Sequence, residues 1–334
     1  MAAHLKIFKF WQKEINILMA IGFLTLSTGG CKKSSTPTGP SSLQSPLDTT
    51  SAVFGGGPLY SGGLSVMNTL RSSGFNTVLI WSIHVYLNGD LYLNDDQVVS
   101  NGIYVGSSEW PGEILTLKKS PTSINRVEVS VGSAGVSDFA DIQNIIARYG
   151  ADSNSILYKN FLTLKRITGA DCVDLDIEDT YDVGSAVAFS VMCGRLGMHV
   201  SFCPYTNVAF WASVRSQTNS QIPGTADRVY LQCYAGGEGN DPATWDNALG
   251  GIKVYPGLWG SHGTDCSEGD DPNSVHIKMV NWKSASAGGF MWPLDDMLAC
   301  PDHGTPAQYA QAINSAFVAG PSEMAGAIAA TKFY

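Results

Sequence analysis

Eight short apolar or β-branched runs, alternating with amphipathic stretches, predict an α/β fold of the (β/α)8 TIM-barrel type. Two further observations agree. Residues 51–334, which carry this alternation, have the length of one barrel and show no internal repeat and no dividing linker. One run alternates aliphatic with acidic side chains, as expected of a strand packed on helices outside and facing a polar interior within.

The N-terminus stands apart from this pattern. Lys6, Lys9 and Lys13 precede an apolar run over 15–26 that is too short to span a bilayer, and the small residues 27–30 lead to Cys31. Residues 1–30 therefore read as a signal peptide. The layout resembles a bacterial lipoprotein signal, which implies lipidation of Cys31, although Thr28 stands where such signals carry Leu. Residues 31–50 are rich in Ser, Thr and Pro and form a tether that cannot bury a core. The expectation is an exported protein of the bacterial cell envelope, touching the membrane only through its lipid.

Along residues 51–334 the strand candidates are 52–54, 77–83, 126–131, 172–177, 199–203, 228–233, 253–258 and 289–292. Helical spacing covers 64–73, 139–149, 156–168, 183–196, 209–216 and 307–318, with Pro306 placed for a first turn. Only 88–119 breaks the rhythm, because turn residues and short alternating segments replace a second helix.

Composition narrows the partners. Asp and Glu number 29 against 20 Lys and Arg, a net charge of −9, and a phosphate backbone needs the opposite balance. Of the cysteines beyond Cys31, Cys172, Cys193, Cys203 and Cys233 sit in apolar runs, where a thiol is a small buried hydrophobe. Cys266 and Cys300 fall in loop-like sequence and form the candidate disulfide that export permits. The chain has no CxxC pair, and neither a metal nor another cofactor is expected.

The densest chemistry is the run from Asp171 to Asp179. Strand alternation puts Asp174, Asp176 and Glu178 on one face and Val173, Leu175 and Ile177 on the other. The acidic face must then point into the barrel and end at its C-terminal mouth, where barrel active sites lie. Crowded, half-buried carboxyls raise at least one pKa, which is what a glycosidase needs of its general acid. A calcium or magnesium site is the competing use of Asp-x-Asp, but Leu175 and Ile177 are strand formers where a calcium loop needs turn residues.

The run resembles the signature of glycoside hydrolase family 18, the chitinases and endo-β-N-acetylglucosaminidases. Asp171, Asp174, Asp176 and Glu178 match its Asp-x-x-Asp-x-Asp-x-Glu, with Cys172 in place of the usual Gly. Ser130-Val131-Gly132-Ser133 is similar to the family's Ser-x-Gly-Gly, Gln232-Cys233-Tyr234 to the Gln-x-Tyr of plant class III chitinases, and 288–292 to the segment ending in the Trp beneath the sugar. What the resemblance implies is substrate-assisted hydrolysis beside N-acetylglucosamine. Glu178 would be the proton donor, with Asp176 orienting the acetamido group, Asp174 sharing charge with Asp176, and Tyr234 holding the acetamido carbonyl. Asp171, Ser130, Gln232 and Trp292 are carried over as substrate contacts.

Trp110, Tyr205, Trp211 and Trp259 follow strand ends or loops and suit either sugar platforms or packing, packing being the commoner use. Residues 261–287 are too few for the small insertion domain of deep-groove chitinases, so a single-domain monomer with a shallow, endo-acting cleft is expected on an N-acetylglucosamine-containing oligo- or polysaccharide. The chitobiose core of N-glycans is the alternative substrate. A non-catalytic lectin is the alternative class, and the presence of both Asp176 and Glu178 weighs against it.

Cys31 is expected to be acylated. Globomycin treatment of a bacterial host expressing the full chain should leave an unprocessed precursor, whereas release of a soluble form cleaved elsewhere would rule the anchor out.

Overall fold

The computed structural model describes residues 49–252, 254–263 and 265–318. The signal peptide, Cys31 and residues 32–48 of the tether lie outside the described residues. The strands are β1 (Thr50–Gly55), β2 (Thr77–Val85), β3 (Leu91–Leu93), β4 (Asp96–Ser100), β5 (Ile103–Tyr104), β6 (Arg126–Val131), β7 (Cys172–Leu175), β8 (His199–Phe202), β9 (Ala226–Gln232), β10 (Val254–Trp259) and β11 (Gly288–Trp292). Eight of them, β1, β2 and β6 to β11, are parallel neighbours, and β1 closes the ring by pairing with both β11 and β2. This is the (β/α)8 barrel that the alternation predicts.

Side-chain alternation sorts the core into two clusters. Val78, Val129, Val173, Leu175, Val200, Leu231 and Leu258 face outward onto the helices. Each such side chain contributes roughly 1.5–3 kcal/mol of burial. Inside the ring, Ala52, Phe54, Leu79, Cys203, Tyr230, Tyr255 and Phe290 form a separate, largely aromatic cluster. Gly257 makes room for it, since a Cβ there would lie 2.0 Å from the Phe290 ring.

Two segments depart from the sequence reading. Between β2 and β6, β3, β4 and β5 add an antiparallel extension to β2. Asn94 and Asn101 turn its corners in the left-handed region (φ 51° and 52°), and Trp110 seals it, buried and donating to the Leu59 carbonyl at 2.8 Å. The second departure is the helix Pro272–Trp282, in a segment that reads as loop. Asp271 caps it through Ser274 N at 2.7 Å and Pro272 starts it, but only Val275 and Met279 are buried, too sparse a pattern to announce a helix.

Cys266 and Cys300 are joined by a disulfide with their Cα atoms 5.4 Å apart, while Cys172, Cys193, Cys203 and Cys233 are free and buried. The bond closes a loop of sequence separation 34 over the mouth connection. Replacing both with Ser should cost about 2–4 kcal/mol in urea unfolding. An unchanged midpoint in the double variant would show that the bond contributes nothing.

Candidate active site

Strand β7 ends at Leu175, and its acidic face runs on past that end to the mouth. Asp176 N still donates to the Val131 carbonyl at 2.9 Å, which holds the extension in strand register. Gly132 makes this approach possible: its φ is +100°, and a Cβ there would lie 2.3 Å from the Asp176 carbonyl oxygen. Asp174 and Asp176 are buried, whereas Glu178 is half-buried at the rim.

Each carboxyl has its own partners. Ser130 Oγ donates to Asp174 Oδ2 at 2.8 Å. Gln232 Nε2, at the end of β9, lies 3.1 Å from Asp176 Oδ1, 3.3 Å from Glu178 Oε1 and 3.1 Å from the Cys203 carbonyl. Three oxygens around one NH2 identify that end of the amide as the donor and leave its two hydrogens shared among them. Asp174 and Ser201 link downward to Glu128, a fully buried carboxylate on β6. Glu128 Oε1 receives Arg126 Nε at 2.6 Å and the Tyr230 hydroxyl at 2.7 Å, and Arg126 continues to Asp227 at 2.7 and 2.9 Å.

The electrostatics follow from this layering. Burial alone would push Glu128 up, but Arg126 and Arg228 outweigh it and hold the carboxyl below its ordinary range. Asp174 is pushed up to about 7, first by burial and then by the Glu128 charge, against the hydrogen bond from Ser130 and the nearby Ser201 hydroxyl. Burial, then Glu178 and Asp174, raise Asp176 well above a normal carboxyl. Burial also raises Tyr234 well above an ordinary phenol, so it stays a hydrogen-bond donor.

Aromatic rings wall the carboxylates. Trp292, ending β11, meets Trp81 edge-on at 4.5 Å between centroids and lies parallel to Tyr234 at 6.2 Å. The Trp81 indole N–H is close enough to Asp176 to favour its ionisation, yet it forms no hydrogen bond of sound geometry. Trp259 stacks on His262 at 4.1 Å and donates to Asp296 Oδ2 at 3.0 Å.

Of the residues singled out in the sequence, the structure brings together Asp174, Asp176, Glu178, Gln232, Tyr234 and Trp292. Two proposed sugar contacts are corrected. Asp171 lies at the opposite, N-terminal end of the barrel, because it precedes the first residue of β7, and three residues before Asp174 is also the other strand face. There it pairs with Lys118 at 2.7 Å and accepts from Val127 N at 2.9 Å. Ser130 is wholly buried under Asp174 and supports the carboxyl instead of lining the mouth. Trp110 and Trp211 are buried packing residues, while Tyr205 and Trp259 remain partly exposed. Sequence reasoning missed Trp81, Glu128, Ser201 and Tyr230. Their alternation within β2, β6, β8 and β9 was the available signal, since an acid or hydroxyl two residues from an inward position is itself inward.

No protein-family profile and no curated protein matches the chain. Solved structures do. A fungal endo-β-N-acetylglucosaminidase from glycosyl hydrolase family 18 aligns with a TM-score of 0.59 at 15% identity, over 80% of this chain and 97% of that one. A family 18 chitinase of Flavobacterium johnsoniae gives a TM-score of 0.54 at 10% identity, over 81% and 94%. A family 18 chitinase from Cycas revoluta, solved in complex with (GlcNAc)4, gives 0.55 at 11% identity, over 80% and 100%. At these identities the likeness shows a shared fold.

Because the folded chain keeps a proton on Asp174 up to about 7, while the unfolded chain releases it near the ordinary 3.8, stability is lost as pH rises through that window. Asp174→Asn keeps the neutral shape. Its advantage over wild type in urea should be smallest near pH 4 and grow toward pH 8 by on the order of 1–4 kcal/mol. Equal differences at both pH values would contradict the buried proton.

Proposed function

We propose that the chain is a retaining glycoside hydrolase of the family 18 kind, cutting β-1,4 bonds beside N-acetylglucosamine by substrate assistance in a chitinase-like endo manner. The observation that carries this reading is the single Gln232 amide within reach of both Asp176 and Glu178. One NH2 held between the two carboxyls sets Asp176 beside Glu178, where it could orient a substrate group next to the acid. In this reading the attacking group is the substrate's own 2-acetamido oxygen, which Asp176 would orient.

The remaining groups fit this division of labour. Glu178, at the rim, would protonate the leaving oxygen and then take a proton from water. Asp176 would accept the acetamido N–H and stabilise the oxazolinium cation. Tyr234, kept as a phenol, would donate to the acetamido carbonyl and hold it in line. Trp292 and Trp81 would offer apolar surface to the sugar's C–H faces.

Between β10 and β11 the described residues hold the helix Pro272–Trp282 and no inserted sheet, which supports an open cleft and endo cleavage. The chitobiose core of N-glycans is a second reading, favoured by the endo-β-N-acetylglucosaminidase among the shared folds. The lipoprotein-like N-terminus supports work at the cell envelope, with the chain anchored at Cys31.

Chitooligosaccharide and high-mannose glycopeptide substrates, assayed side by side, separate the two readings. Glu178→Gln should lower turnover ~10²–10⁴-fold while sparing ligand binding. Asp176→Asn should lower it by ~10²–10³-fold through lost charge stabilisation. Glucan oligomers should resist cleavage, and a thiazoline analogue of the oxazoline should inhibit. Near-full activity of Glu178→Gln would overturn the reading, and saturable binding without cleavage by wild type would make the chain a lectin.

A further inference from the structure

Beneath the proposed catalytic carboxyls lies a pair of groups that the mechanism leaves unused, Glu128 on β6 and Ser201 on β8. Ser201 Oγ is 2.5 Å from Glu128 Oε2, 2.9 Å from Asp174 Oδ1 and 3.5 Å from Cys172 Sγ. A hydroxyl has one hydrogen and two lone pairs, so two carboxyl oxygens compete for a single proton. Glu128 is the better claimant. Its other oxygen already receives Arg126 and Tyr230, which fixes it as the anion, and its contact to Ser201 is the shorter. Ser201 can then meet Asp174 only as an acceptor, and the Cys172 thiol fills its second lone pair. The hydrogen between Ser201 and Asp174 must sit on Asp174 Oδ1, while Oδ2 accepts from Ser130 at 2.8 Å.

We propose that Glu128, acting through Ser201, is a positioning residue that keeps a proton on Oδ1 of Asp174. The consequence for turnover rests on the glycosidase reading; the placement of the proton does not. A neutral Asp174 removes one of the negative charges that oppose ionisation of Asp176. Asp176 is thereby free to carry the negative charge while Glu178 serves as the acid.

Every charged or titratable neighbour can be placed. From β6 come Glu128 and Arg126, with Asp227 behind Arg126. Tyr230 comes from β9 and contacts Glu128, while Arg228 of the same strand contacts the Tyr230 hydroxyl at 3.2 Å. On β7 stands Cys172, with Asp176 and Glu178 beyond its end and Cys203 after β8. Burial and the Glu128 charge favour the neutral form of Asp174; the hydrogen bond from Ser130 opposes them, as a hydrogen donated by Ser201 would, and Arg126 opposes them more weakly.

The test is a sign. In protein carrying carboxyl-13C aspartate, the Asp174 resonance is assigned by its loss in Asp174→Asn and followed with pH. Ser201→Ala should lower its midpoint by about one pH unit or more, because the acid loses the acceptor of its proton and the anion loses a repelling lone pair. A raised midpoint would mean that Ser201 donates to Asp174, and an unchanged one that Ser201 places nothing. Either result overturns the proposal. Glu128→Gln, checked for folding by circular dichroism, should lower the midpoint too, and it decides the matter alone if Ser201→Ala fails to fold. In turnover, the alkaline limb of the kcat profile should move down with the midpoint, whereas a merely structural role would reduce kcat evenly across pH. Should wild type cleave no N-acetylglucosaminide, the glycosidase reading falls while the NMR midpoints still decide where the proton lies.

Discussion

Three carboxyl groups on one face of a single strand, two of them removed from water, are the constraint around which the barrel interior is arranged. Isolated buried carboxylates would be expelled or neutralised. Here the lower interior supplies compensation in a chain of contacts, Asp227 to Arg126, Arg126 to Glu128, and Glu128 through Ser201 to Asp174. Ion pairing thus falls off from the N-terminal end toward the half-exposed Glu178 at the mouth. A barrel filled with aliphatic layers could not hold Asp176 beneath that rim.

The upper interior is built of different material. Phe54, Tyr230, Phe290 and Trp292 pack against one another with centroids 5.1–6.1 Å apart. They exclude water from one side of the carboxyls and present ring surface at the mouth. Low dielectric raises Asp176 and Tyr234, and the ring faces leave an apolar surface beside the acids. The same packing therefore tunes the acids and shapes the surface a saccharide would meet.

Much of this was legible in the sequence because strand alternation is local. Asp174, Asp176 and Glu178 announce their common face by spacing alone, and the aliphatics between them announce the helical layer outside. Gln232 and Tyr234 were reached through the resemblance of Gln232-Cys233-Tyr234 to a family motif. Asp171 was misplaced because a motif match ignores both the parity that puts it on the other face and its position ahead of β7, at the other end. Glu128, Ser201 and Trp81 were not legible for a different reason. Each is one inward residue of an otherwise ordinary strand, and its meaning appears only when the ring closes and sets it against a partner dozens of residues away. The excursion over 88–119 was likewise visible as a break in rhythm, while its antiparallel pairing on β2 depends on tertiary contacts.

The central claim is that both acids act from one side and the substrate supplies the nucleophile. Its most direct measurement is the anomeric form of the first product, followed by proton NMR during the early hydrolysis of a chitooligosaccharide. Attack by the acetamido oxygen followed by water inverts the anomeric centre twice, so the new reducing end should appear as the β anomer and mutarotate later. Initial appearance of the α anomer would mean a single direct displacement by water, and would contradict the arrangement argued from Asp176, Glu178 and Gln232.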